Sequence, residues 1–153
     1  MIGQKAPYFK LKDSDKNDVS LDHFKGKNLV LLFIPAAFTS TCTKEFCQMR
    51  DELSFYKELN AEVVGVSVDS LFVLNKFKEE QNYNFTLLSD FNKEAATAYN
   101  AIYQSWYHDM RGVAKRASFV IDKDGIIRHA EVLENAGDYP DIAAIKNTLA
   151  TLN

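Results

Sequence analysis

Two cysteines in 153 residues are too few for a disulfide scaffold or for a four-ligand structural zinc site. The three histidines, His23, His108 and His129, are scattered and show no paired spacing. Each reads as a surface or packing residue, and neither metal nor cofactor is expected. No basic cluster exists and the net charge is −3, so neither nucleic acid nor an acidic membrane surface is suggested as a partner. The longest apolar run, Leu29 to Pro35, is far too short to span a bilayer. The stretch Met1-Ile-Gly-Gln-Lys-Ala-Pro7 lacks the apolar segment of a signal peptide, which with a native start points to the cytoplasm. Glycine and proline are few, and there is no repeat, low-complexity segment or linker. What remains is an ordinary globular composition, 46% hydrophobic and 25% charged, long enough for one domain over residues 1–153 with a sizeable core.

The apolar pattern supplies the elements. Phe9-Lys-Leu-Lys-Asp13 and Val19-Ser-Leu21 alternate around a polar turn and read as a hairpin. Leu29–Ile34 is a near-continuous apolar strand, of the kind buried on both faces of a sheet. Phe46, Met49, Leu53, Tyr56 and Leu59 recur at helical spacing, which predicts one helix from Cys42 to about Asn60. A strand at 62–68 follows, then a helix capped by Asp69-Ser70 and carrying Leu71, Leu74 and Phe77. Next come a short strand at Phe85, a short helix from Asn92 to Tyr99, and an aperiodic stretch from Ala101 to Lys115. Ala117–Asp122 and Ile126–Leu133, joined through Asp124-Gly125, form a second hairpin. Ile142, Ile145, Leu149 and Leu152 mark a last helix. Strand–helix alternation argues an α/β chain with a parallel core, and the late hairpin adds an antiparallel edge. The order is compatible with a thioredoxin-like mixed sheet flanked by helices and preceded by a β-hairpin extension. Periodicity alone does not single that fold out.

The first internal strand runs into Pro35-Ala-Ala-Phe-Thr-Ser-Thr-Cys42-Thr-Lys-Glu-Phe-Cys47. A strand stops at a proline, crosses a hydroxyl-rich turn and enters a helix. Cys42 then falls at the helix start, where unpaired N–H groups and the positive dipole end favour negative charge. In a reducing compartment two cysteines this close suggest redox chemistry or two unrelated free thiols.

Pro35-x-x-x-Thr39-x-x-Cys42 resembles the active-site motif of the peroxiredoxins, thiol-dependent peroxidases of the thioredoxin superfamily. Gly3-x-x-Ala-Pro7-x-Phe9-x-Leu11 is similar to the family's opening. Arg116-Ala-Ser-Phe-Val-Ile-Asp-Lys-Asp-Gly125 is similar to the segment that carries its arginine. The resemblance covers essentially the whole chain. It implies a cysteine nucleophile at Cys42, with Thr39, Arg116 and Pro35 around it and Glu45 orienting Arg116. Thr39 could also simply cap the helix, and Glu45 could be a plain first-turn acid.

Displacement at a peroxide oxygen turns a thiolate into a sulfenic acid. A thiol of pKa about 8.5 is roughly 3% ionised at pH 7, and lowering it to about 6 gives roughly 90%. Nucleophilicity falls with basicity and returns about tenfold of that gain. The net is a few-fold, so fast chemistry also needs donors placed where charge builds on oxygen. A guanidinium fork suits that task, and so does a threonine hydroxyl that accepts from the peroxide O–H.

Cys47, at plus five, resembles the resolving cysteine of the bacterioferritin-comigratory, or Q-type, group. The Pro-Ala-Ala-Phe-Thr stretch and the region of Trp106 are more similar to the alkyl hydroperoxide reductase E type, which can work with one cysteine. No cysteine lies in the C-terminal part, where the typical two-cysteine class has one. Five residues of helix rise about 7.5 Å and turn a net of about 140°, beyond the span of a disulfide, so pairing Cys42 with Cys47 requires unwinding. Thr43 and Phe46 are only moderate helix formers. Cys47 is expected on the polar side with Asp51, Ser54 and Glu58, as a resolving residue or a spectator. The expected substrate is hydrogen peroxide or an organic hydroperoxide. The expected reductant is thioredoxin, glutaredoxin or a similar thiol. The aromatic residues at 103–107 and Phe38 could line the entrance, pack internally or form a homodimer interface. The competing readings are a protein-disulfide oxidoreductase, which would need Cys-x-x-Cys, and a non-enzymatic thioredoxin-fold binding protein.

Overall fold

The computed structural model describes residues 1–153. Its seven strands form one sheet: β1 (Lys10–Asp13), β2 (Asp18–Ser20), β3 (Asn28–Phe33), β4 (Ala61–Ser67), β5 (Thr86–Ser89), β6 (Ala117–Ile121) and β7 (Ile127–Val132). The spatial order is β2-β1-β5-β4-β3-β6-β7. β3, β4 and β5 are parallel, as strand–helix alternation requires. The two hairpins close the edges, with β1 antiparallel to β5 and β6 antiparallel to β3. This is a thioredoxin-like mixed α/β sheet with an N-terminal hairpin extension, as the sequence pattern and the resemblance together lead one to expect.

β3 has no solvent face. Leu29, Leu31 and Phe33 enter the core that holds Tyr99, Ala95 and Ala96 of the α4 (Glu94–Ala98) region. Val30, Leu32 and Ile34 enter the opposite core, under α1 (Ser40–Asp51), α2 (Leu53–Glu58), α3 (Leu71–Gln81) and α5 (Ile142–Thr151). An alternating strand could satisfy only one of these layers, which is why the run is apolar throughout.

One predicted helix is two. The backbone leaves helical geometry at Glu52 (φ −106, ψ 11), which separates α1 from α2. The Glu52 carboxylate there accepts from Gln48 and Lys146. The apolar stripe runs straight across the break, since Met49, Leu53 and Tyr56 are all buried, so periodicity carries no mark of it. At α3 the cap is Ser70, whose hydroxyl accepts from Val73 N, and Asp69 does other work.

One register positions the site. Phe33, the last residue of β3, lies opposite Ala117, the first of antiparallel β6. The residue before Ala117 therefore arrives beside the turn that follows β3. That residue is Arg116.

Candidate active site

Thr39 is the N-cap of α1, so Cys42 is the third residue of its first turn. Its side chain is 1% exposed. Arg116, 74 positions further along, reaches it with Nη2 3.3 Å from Sγ. The same guanidinium donates from Nη1 to Glu45 Oε1 at 3.0 Å, and from Nη2 and Nε to the Ala136 carbonyl at 2.9 and 3.3 Å. Arg116 is 2% exposed and is not a surface charge. Its fork is held from two sides, by Glu45 and by the Ala136 carbonyl, and Nη2 also faces the Cys42 sulfur.

Thr39 occupies the cap position without capping. Its hydroxyl donates to the Ala36 carbonyl at 2.7 Å, and its own carbonyl accepts from Thr43 N and Oγ1. With its proton committed, the hydroxyl oxygen is left as an acceptor. Pro35 is buried where β3 ends. The turn after it is fastened by Asp69, whose Oδ2 accepts from Ala37 N at 2.7 Å and Ser67 Oγ at 2.8 Å. Phe38 has a left-handed backbone (φ 68) and lays its half-exposed ring on Phe77, at 4.9 Å between centroids.

Glu45 is fully buried, and its Oε2 has no hydrogen-bond partner. Burial raises its pKa to about 7, and the attraction of Arg116 opposes that rise without offsetting it. Between the ordinary carboxyl range and about pH 7 the folded chain therefore holds a proton that the unfolded chain has lost. The contribution of Glu45 to stability therefore falls as pH rises through that window. Glu45→Gln is expected to flatten this slope in urea titrations at pH 5 and pH 7.5. An unchanged slope would show that Glu45 is ionised throughout.

A hollow of about 180 Å³ lies over this end of the sheet, bounded by Thr39, Ser40, Thr41, Trp106, Tyr107, Arg116, Ala136 and Gly137. Cys42 is not on its wall, and Arg116 is the residue common to both. The aperiodic 101–115 stretch thus brings Trp106 and Tyr107 to the site.

Cys47 departs from its expected place. It is partly buried against the core under α1 rather than solvated beside Asp51, because the end of α3 covers it. Sγ lies 3.7 Å from Gln81 Oε1 and 3.8 Å from Tyr83 Oη. Both cysteines are free thiols within one unbroken helix. The Ala136 carbonyl, the Asp69 tie and the covering Gln81–Tyr83 segment had no counterpart among the expected site residues.

Residues 2–130 match the AhpC/TSA family. Among curated proteins, peroxiredoxin Bcp of Bacillus subtilis is 40% identical over 81% of this chain and 80% of its own length. The mitochondrial thioredoxin-dependent peroxide reductase of the mouse is 35% identical over 97% of this chain and 58% of its own length. Among solved structures, a PrxQ variant from Xylella fastidiosa superposes with a TM-score of 0.87 at 25% identity, covering 99% of this chain and 96% of that one.

Proposed function

The chain belongs to the AhpC/TSA family of peroxiredoxins and is a thiol-dependent peroxidase, and from that premise we propose that Cys42 is the attacking residue. The observation that carries this reading is the fixed Arg116 fork, with Nη2 3.3 Å from Cys42 Sγ and Nη1 tied to Glu45. The Cys42 thiolate attacks one peroxide oxygen along the O–O axis, and that bond breaks. The other oxygen leaves with the electron pair, takes up a proton and departs as water or alcohol. Cys42 is left as a sulfenic acid. Negative charge moves from sulfur to the leaving oxygen during this step. A guanidinium that faces sulfur can follow it at no cost in reorganisation, which is stabilisation specific to the transition state. Thr39 Oγ1 accepts from the substrate O–H and sets its direction. Pro35 offers no N–H and keeps water from the thiolate. Glu45 holds Arg116 in place.

Cys47 resolves the sulfenic acid. Its thiol displaces water from the Cys42 sulfur, and a disulfide forms. The pair lies in intact α1, so the helix must open first. A thioredoxin-like or glutaredoxin-like dithiol then reduces the disulfide; the naming of the mouse relative for thioredoxin supports this class of donor. Intact-mass measurement after one equivalent of hydrogen peroxide is expected to show the loss of two hydrogen atoms, as a disulfide requires. A stable sulfenic or sulfinic adduct on Cys42 alone would assign resolution to an external thiol instead.

A further inference from the structure

The chemistry above makes no use of the far end of α3, yet that end is what packs against Cys47. α3 stops at Gln81 because Asn82 turns left-handed (φ 55, ψ 40), a conformation asparagine adopts more readily than most residues. Tyr83 N then donates back to the Lys78 carbonyl at 3.1 Å. The turn sets Gln81 and Tyr83 on the same side, facing α1. Cys47 Sγ meets both side chains, at 3.7 and 3.8 Å. The Tyr83 hydroxyl also donates to the Thr43 carbonyl at 3.4 Å, one turn earlier. Its ring stands edge-on to Phe46 and to Phe77, at 5.8 and 5.0 Å between centroids. Past Cys47, Arg50 Nη1 donates to the Gln81 carbonyl at 2.6 Å. Residues 43 to 50 of α1 are therefore fastened along their length to one short segment.

We propose that Gln81–Tyr83 is a latch on the Cys47 turn, and that the Tyr83 hydroxyl is the positioning group that sets how often this turn opens. The proposal rests on Cys47 being the resolving residue. Once Cys42 is a sulfenic acid, two reactions compete for it. Attack by the Cys47 thiol gives the disulfide and water, and it can occur only while α1 is open. Attack on a second peroxide gives the sulfinic acid and water or alcohol, and it needs no opening. The opening frequency therefore divides the enzyme between turnover and inactivation. Tyr83 touches both the carbonyl one turn below and the thiol that must swing free, so no other single group in the segment restrains both.

The test compares the full-length chain with Tyr83→Phe, which keeps the ring and removes the hydroxyl. Loss of these long contacts is expected to speed amide exchange over residues 43–48 by about three- to tenfold. Exchange in β3 and β4 should not change. Disulfide formation after one equivalent of hydrogen peroxide should quicken by the same factor, and the sulfinic share at a fixed peroxide excess should fall. The first oxidation step should keep its rate. Unchanged exchange would overturn the proposal. So would faster exchange with an unchanged disulfide rate, or faster exchange everywhere, which would make Tyr83 a plain support of the fold. If the parent chain forms no disulfide at all, the resolving role of Cys47 fails and takes the latch's part in turnover with it, while exchange still reports whether Tyr83 fastens the helix. Gln81→Met, which removes the side-chain amide facing Cys47 Sγ and keeps the backbone carbonyl that Arg50 bonds, repeats the test should Tyr83→Phe not fold.

Discussion

Arg116→Met is expected to lower the second-order rate constant for hydrogen peroxide by about 10²–10³-fold, the loss typical of removing a preorganised donor from a developing oxyanion. Methionine keeps an unbranched, flexible stem in the buried site and removes the charged fork. Three contacts go together: Nη2 to Cys42 Sγ, Nη1 to Glu45 and the pair to the Ala136 carbonyl. Glu45 tolerates the loss by remaining protonated, since burial already lifts it to about 7 with Arg116 beside it. The fold should therefore survive, and the effect should lie in the rate. Arg116→Lys is expected to recover only a small part of it. A compact ammonium lacks the rigid planar fork that faces sulfur, Glu45 and the Ala136 carbonyl together. Stopped-flow oxidation of the two variants measures this directly. A loss of less than about threefold for Arg116→Met would remove Arg116 from the chemistry.

Gly65→Val should be the most damaging substitution outside the site. Gly65 lies in β4 with ordinary backbone angles, and by conformational entropy alone a side chain there would be welcome. The obstacle is space. A Cβ at Gly65 would stand 2.5 Å from Phe46 Cζ and 2.9 Å from Leu87 Cδ2. The Phe46 ring cannot yield, because Phe77, Tyr83 and Phe85 pack around it. Valine at 65 must push Phe46, and with it α1, off the sheet. Overpacking on this scale should cost about 2–4 kcal/mol, or roughly 4–16 °C in Tm for a chain of this size. Combining it with Phe46→Leu should restore part of the loss, since the two residues contend for one volume. Calorimetry of the singles and the double decides this. Strict additivity, or a Tm unchanged in Gly65→Val, would mean that the ring has somewhere else to go.

The sheet was legible because its signals are local. Burial on both faces of β3, the two hairpins and the stripe on α3 each follow from the residues within the element. The break at Glu52 was not, because Met49, Leu53 and Tyr56 keep their phase across it. In the site, Cys42 and Thr39 could be placed by counting from the end of a strand. Arg116 could be placed only by resemblance; the Phe33–Ala117 register that delivers it is long-range and leaves no trace in composition. The Ala136 carbonyl that orients Arg116 is a backbone group that any sequence would supply. Helical phase puts Cys47 on the side of Asp51, Ser54 and Glu58, because phase reports only the helix itself. The cover comes from Gln81 and Tyr83, which the left-handed turn at Asn82 swings across it.

Cys42, backed by Arg116, is expected to reduce peroxide faster than a thiol alone could. Trp106 is the single tryptophan and lines the hollow that Arg116 also borders. Its fluorescence, followed in a stopped-flow instrument as reduced protein meets hydrogen peroxide, is the most direct measurement. The prediction is one rapid second-order phase, complete at one equivalent and absent in Cys42→Ser. A rate no faster than that of free cysteine, or the same phase in Cys42→Ser, would contradict it.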